Sequence, residues 1–102
     1  MIRMMRRADV ANGKLPEAMS WAKEISATMQ KRHGGPAANV FIQMFSGGGS
    51  IFWVADHESL ASFEVQNKKT LADPDYWAAI KKAVDAGLFV QGSVQDTVLQ
   101  QI

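Results

Sequence analysis

The stretch "NVFIQMFSGGGSIFWVAD", Asn39 to Asp56, holds two runs of β-branched and aromatic residues joined by serine and glycine. Runs of this kind read as strands, and the glycine-rich link reads as a hairpin loop. With Phe45 opposite Ile51, Gln43 faces Trp53 and Phe41 faces Ala55 on one side of the sheet, while Met44 with Phe52 and Ile42 with Val54 share the other. One side is then wholly apolar and the other is aromatic with a single amide, so neither suits water. Helices of the same chain can cover one side, and a partner sheet in a homodimer can cover the second.

Upstream, "IRMMRRADV", Ile2 to Val10, reads as a first strand that "NGK" ends with turn residues. Leu15, Ala18, Met19, Ala22, Ile25 and Met29 then recur at the spacing of one helical face, with Pro16 tolerated in the first turn. "HGGP", His33 to Pro36, is expected to be the loop that follows. Downstream, a second helical region starts near "DHESLASFEVQNKKTL", with Leu60, Phe63, Asn67 and Leu71 as its inner stripe. "ADPDYWAAIKKAVDAG" restarts it: Asp73 suits the N-cap, Pro74 the first helical position, and Gly87 the residue past the end, with Trp77, Ile80 and Val84 as the stripe. The last strand, "FVQGSVQDTVLQ", sets Val90, Gly92, Val94, Asp96 and Val98 against Gln91, Ser93, Gln95 and Thr97. The resulting order is the split pattern of an α+β, ferredoxin-like βαββαβ sandwich with a four-stranded antiparallel sheet.

At 102 residues and 47% hydrophobic content, the chain is expected to be one domain, residues 1–102, with one modest core. Eleven basic and ten acidic side chains leave a net charge of +1, too weak a field for nucleic acid. Arg3, Arg6 and Arg7 form the one basic cluster, without an accompanying stripe of stacking aromatics. The absence of cysteine removes disulfides, thiolate nucleophiles and thiolate metal sites. No apolar run approaches a membrane span, and the basic start lacks the apolar segment of a secretory signal. A soluble cytoplasmic protein is the expectation.

Asp56, His57 and Glu58 stand in a row, but neighbours on a strand or helix diverge, so they cannot converge on one reacting atom. The other histidine, His33, is far away in sequence, and no metal site is expected. Helix capping accounts for the acidic residues: Asp56 as an N-cap with Glu58 in the first turn, and Asp73 to Asp75 likewise. His57 remains a candidate general base. Trp21, Trp53, Tyr76 and Trp77 are expected in the core or at a dimer seam, or as aromatic walls of a pocket between sheet and helices for a planar organic ligand. Tyr76 and His57 are the candidate catalytic or orienting groups there. Arg6 or Arg7 is the candidate partner of an anionic substituent. The methionines read as flexible core filler.

The strand order, the two-faced hairpin and the stretch "WVADHESLASFEVQNKKTLADPDYWAAI" resemble the dimeric α/β-barrel superfamily, and its small NIPSNAP-like members in particular. The resemblance spans nearly the whole chain. It implies a homodimer in which two four-stranded sheets join into a barrel with the helices outside. Activity varies widely in that superfamily, from cofactor-independent monooxygenases and cyclases acting on aromatic polyketides to haem-handling enzymes and isomerases. The pattern of a helical histidine with a suitably placed asparagine and tryptophan is not matched, so no cofactor is expected. The function expected is binding of a small hydrophobic or aromatic molecule. The alternatives are a cofactor-independent monooxygenase, isomerase or cyclase using His57 or Tyr76, and an assembly module whose Trp53-bearing face serves only the dimer.

Overall fold

The computed structural model describes residues 1–44 and 49–102. Strand β1 (Ile2–Asp9) leads into helix α1 (Leu15–His33), followed by β2 (Asn39–Ile42), β3 (Ser50–His57), α2 (Leu60–Leu71), α3 (Pro74–Asp85) and β4 (Gln95–Gln100). The sheet order is β2-β3-β1-β4, with every pairing antiparallel. The expected ferredoxin-like α+β architecture is therefore the one observed.

The side of the sheet that the helices cover follows from Ile51, which is fully buried among Val10, Ala18, Ala22, Ala83 and Leu88. Alternation along β3 puts Trp53, Ala55 and His57 on that same side. The register then adds Ile2, Met4, Arg6 and Ala8 from β1, and Asp96, Val98 and Gln100 from β4. The core residues that α1 and α3 bring to this contact are alanines: Ala18, Ala22 and Ala83. The opposite side carries Arg3, Met5, Arg7, Phe52, Val54, Asp56, Thr97 and Leu99, with no helix over it among the described residues.

The hairpin register differs from the expected one. Phe41 lies opposite Phe52 and Val40 opposite Trp53, a shift of three residues from the Phe41–Ala55 pairing. An odd shift exchanges the faces of β2 relative to β3. Gln43 donates its backbone N–H to Ser50 at 2.9 Å, so the strands part before Met44, which belongs to the connection rather than to the ladder. The expected Phe45–Ile51 pair lies outside the described residues. Trp53, two residues along β3 from the buried Ile51, sits beneath the helices, and Phe41, Phe52 and Val54 lie on the bare side.

Helix α1 buries the expected stripe, with Ala18, Ala22 and Ile25 innermost, but it runs on to include His33. Asp56 is a strand residue rather than a cap: β3 continues to His57, and Ser59 caps α2 through a reciprocal box with Ser62. Helix α2 has no fully buried residue; Leu60 and Leu71 are exposed, and Phe63, Gln66 and Thr70 face inward instead. For α3, Asp73, Pro74 and Gly87 hold the expected positions. Gly87 has φ 64°, and Leu88 N–H bonds back to the Ala83 carbonyl at 3.2 Å, which turns Leu88 into the core. Its inner face is Tyr76, Ile80 and Ala83, about one residue round from the expected stripe, so Trp77 and Val84 are exposed. The last strand starts later than expected: Phe89 only bridges Val10, and β4 begins at Gln95.

Candidate functional site

The residues of interest form one row across the helix-facing side of the sheet. Val40, Trp53, Arg6 and Asp96 lie opposite one another in turn, on β2, β3, β1 and β4. The first two continue the apolar core; the second two are an ion pair at positions where neighbouring residues of the same parity are Met4, Ala8 and Val98. Arg6 Nε and Nη2 donate to the two Asp96 carboxylate oxygens at 2.7 and 2.8 Å, a bidentate fork. Arg6 Nη1 donates to the Tyr76 phenol oxygen at 3.3 Å, from the first turn of α3. Both charged side chains are 41% exposed, so the group is open to solvent at the β4 edge. The Asp96 hydrogen bond holds the Arg6 guanidinium more strongly protonated than usual, against a smaller opposing effect of burial. In return, the hydrogen bond from Arg6 holds the Asp96 carboxyl below the usual carboxylate range, with burial again opposing. Over the whole titration range of a working protein this pair is Arg⁺ with carboxylate⁻.

The aromatic candidates separate. Trp21 and Trp53 meet edge to face with ring centroids 6.2 Å apart, and Phe89 packs against both at 5.5 and 6.0 Å. Trp21 Nε1 donates to the Ala79 carbonyl at 3.0 Å, tying α1 to α3. These three rings fill the space between α1 and the sheet. Trp77 is 51% exposed, edge-on to Tyr76 at 5.2 Å, with its indole N–H on the Leu71 carbonyl. His57 lies apart: it is buried at the far end of β3 against Phe63, four residues and about 13 Å along the strand from Trp53. So Arg6, Tyr76, Trp53 and Trp21 are brought together, Trp77 stands beside them, and His57 does not join them.

Asp96 was not singled out from the sequence, although a signal existed. Arg6 and Asp96 are each a charge at the apolar parity of their strand, among Ile2, Met4 and Ala8 in one case and beside Val98 in the other. The three arginines also do not act as one basic cluster. Arg3 and Arg7 point to the bare side, and Arg3 pairs with Asp56 at 2.8 and 2.9 Å. Arg7 Nη1 donates to Gln95 and Nη2 to Asp9, whose carboxylate also accepts from Ser50 Oγ at 2.8 Å.

Two shallow depressions among the described residues lie elsewhere. One, of about 470 Å³, opens on the bare side and is lined by Arg3, Met5, Asn39, Phe41, Val54 and Asp56. The other, of about 270 Å³, runs between the C-terminal half of α1 and the β2 edge. Neither includes Arg6, Trp21, Trp53, His57, Tyr76 or Trp77. A separate polar cluster clamps α1 to α3. The buried Asp73 carboxylate accepts from His33 Nε2 at 2.8 Å, from Arg32 Nη1 at 3.0 Å and from the Asp75 backbone N–H at 2.9 Å. Burial pushes that carboxyl up, but the His33, Asp75 and Arg32 hydrogen bonds together outweigh it and hold it at about 2. Among the described residues no three His, Cys, Asp or Glu side chains converge as metal ligands, and no helix is long and apolar enough to cross a membrane.

Comparison with solved structures agrees with this geometry throughout its length. A NIPSNAP domain protein from Burkholderia xenovorans superposes with a TM-score of 0.79 at 16% identity, covering 100% of this chain and 95% of its own. The fold is that of the NIPSNAP domain. A NIPSNAP family protein from Agrobacterium tumefaciens gives a TM-score of 0.78 at 19% identity over 99% of this chain and 87% of its own. A candidate antibiotic biosynthesis monooxygenase from Deinococcus radiodurans is similar too, with a TM-score of 0.72 at 12% identity over 100% and 93% of the two chains. No family model and no curated protein matches the sequence. At these identities the NIPSNAP-like fold carries no activity with it.

Proposed function

We propose that the protein is a homodimeric small-molecule-binding domain whose ligand meets Tyr76 on the helix-facing side of the sheet. The carrying observation is the placement of Arg6, Asp96 and Tyr76 at apolar-parity positions, joined to one another and half open to solvent. The pair and the phenol are linked on the helix-facing side yet stay reachable from solvent at the β4 edge, which supports a role in binding. The ligand's body would lie along Met4 and the half-exposed Val98, in the row next to the pair. The neighbouring NIPSNAP and monooxygenase-like structures share the fold and name no ligand for it.

Dimerisation would use the bare side of the sheet, where Met5, Phe41, Phe52, Val54 and Leu99 present an apolar belt between the Arg3–Asp56 and Arg7–Asp9 pairs. A belt of this kind is suited to burial against a second copy. The rival reading, an assembly module without a ligand, is favoured by the way Trp21, Trp53 and Phe89 fill the space under α1. Saturation-transfer NMR with one- and two-ring aromatic fragments separates the two. Binding expected in the native protein and weakened in Tyr76→Phe supports a ligand site, whereas a dimer that binds none of the fragments supports assembly alone.

A further inference from the structure

Arg6 and Tyr76 can share their hydrogens in only one way. A guanidinium donates and never accepts, so the 3.3 Å contact from Arg6 Nη1 uses a lone pair of the phenol oxygen. The phenol O–H is thereby left to donate to something else. Arg6 cannot swing away to meet a ligand itself, because Nε and Nη2 are both held by Asp96. Its charge is also already matched. Among the helix-facing positions of β1, β3 and β4, Arg6 and Asp96 are the only arginine, lysine or carboxylate side chains; the others are Ile2, Met4, Ala8, Ile51, Trp53, Ala55, His57, Val98 and Gln100.

A carboxylate arriving at the phenol would be drawn to Arg6, but Asp96, on the Nε and Nη2 edge of the same guanidinium, offsets much of that attraction. What is left repays only part of the hydration that a carboxylate gives up. A neutral carbonyl oxygen loses far less on leaving water and accepts the same hydrogen bond. The geometry points to an uncharged carbonyl compound with an apolar body, a ketone, ester or amide rather than a carboxylic acid, as the ligand class of the Tyr76 station, with Asp96 as the residue that sets this choice. The inference rests on the reading that Tyr76 meets a ligand, and adds the chemistry of what it meets. Ile80, one turn along the same face of α3, and Val98, two residues along β4 from Asp96 on the same side of the sheet, are apolar.

The test uses matched pairs that differ only by methyl against oxygen anion: acetophenone with benzoate, and 2-acetylnaphthalene with 2-naphthoate. Binding is followed at neutral pH by saturation-transfer NMR and by the tyrosine ring signals, which report Tyr76 alone because the chain holds one tyrosine. The native protein is expected to bind each ketone about fivefold or more tightly than its acid. Asp96→Asn leaves Arg6 unmatched and is expected to reverse that order; Tyr76→Phe should weaken the ketone about tenfold. Should Asp96→Asn fail to fold by circular dichroism, the ratio in the native protein still decides. Acids bound as tightly as ketones, with both lost in Tyr76→Phe, overturn the choice of ligand class and leave the site standing. Absence of binding by either pair, or binding indifferent to Tyr76→Phe, overturns the site together with the inference.

Discussion

Ile51 and Phe52 are neighbours that answer to different partners, and replacing each by alanine tests the assignment of the two sheet faces. Ile51 is fully shielded from solvent, enclosed by Ala18 and Ala22 of α1, Ala83 of α3, Val10 and Leu88. Ile51→Ala removes three carbons, roughly 2.4 kcal/mol of lost burial at about 0.8 kcal/mol each. The alanines around it are too small to fill the space left behind, so a cavity remains and the total should reach about 3–4 kcal/mol. For a domain of this size that is a fall in Tm on the order of 15–25 °C, independent of protein concentration. Phe52→Ala lies on the side without helices and should leave the protomer's fold intact. Its loss should appear in the concentration dependence of Tm and in the mass measured by light scattering. Thermal scans over a hundredfold range of concentration distinguish the two behaviours. If Phe52→Ala proves the more damaging in the dilute monomer and Ile51→Ala is mild, the helices cover the other face and the site built on Arg6 fails with it.

Three further outcomes are expected. Val54→Asp places a carboxylate in the middle of the apolar belt and should yield a folded monomer by light scattering; an unchanged dimer would remove the bare face as the interface. Ser59→Ala should cost about 1 kcal/mol and speed amide exchange in the first turn of α2, whereas Asp56→Ala, which loses only a surface ion pair, should leave that turn unchanged; the reverse result would restore Asp56 as the cap. The Asp73 carboxyl is held at about 2 against an ordinary 3.8, so its contribution is present above pH 3.8 and is lost as pH falls toward 2. The Tm gap between native protein and Asp73→Asn should therefore be full at pH 6 and shrink below pH 3.8, and a gap that stays constant with pH would show that the charge is not what holds α1 to α3.

Much of the fold was legible because the strongest signals were periodic. The α1 stripe from Leu15 to Met29 is buried as its spacing requires, and the Asp73, Pro74 and Gly87 punctuation of α3 acts at those positions. Register was not legible, since it depends on where the hairpin strands part. Gln43 and Met44 have strand-like composition but lie in the connection, and that difference exchanged the faces of β2 relative to β3. Strand length was misread at the other end of β3 for a related reason. Asp56 looks like a cap when only the downstream helix is considered, yet Arg3 lies directly across the ladder and holds it as a strand residue. For α3, Trp77 and Val84 are apolar enough to suggest burial, but Tyr76 and Ala83 are what fit beneath the helix when alanines set the spacing.

The same logic explains why the site was half visible. Arg6, Tyr76 and Trp53 were identified for their chemistry, one residue at a time, and chemistry alone also nominated His57 and Trp77. What joins the first three is the register of β1 with β3 and β4, which no single stretch of sequence contains. Asp96 comes in by that route alone, and it changes the meaning of the others. Without it Arg6 would be a free cation suited to an anionic substituent; with it the guanidinium's charge is matched by a carboxylate while Nη1 donates to the Tyr76 phenol oxygen. On the proposed reading the ligand preference at Tyr76 would be set by a residue two strands away from Trp53, and Asp96→Asn or Asp96→Val would be expected to admit acids or to lose the Arg6 orientation altogether.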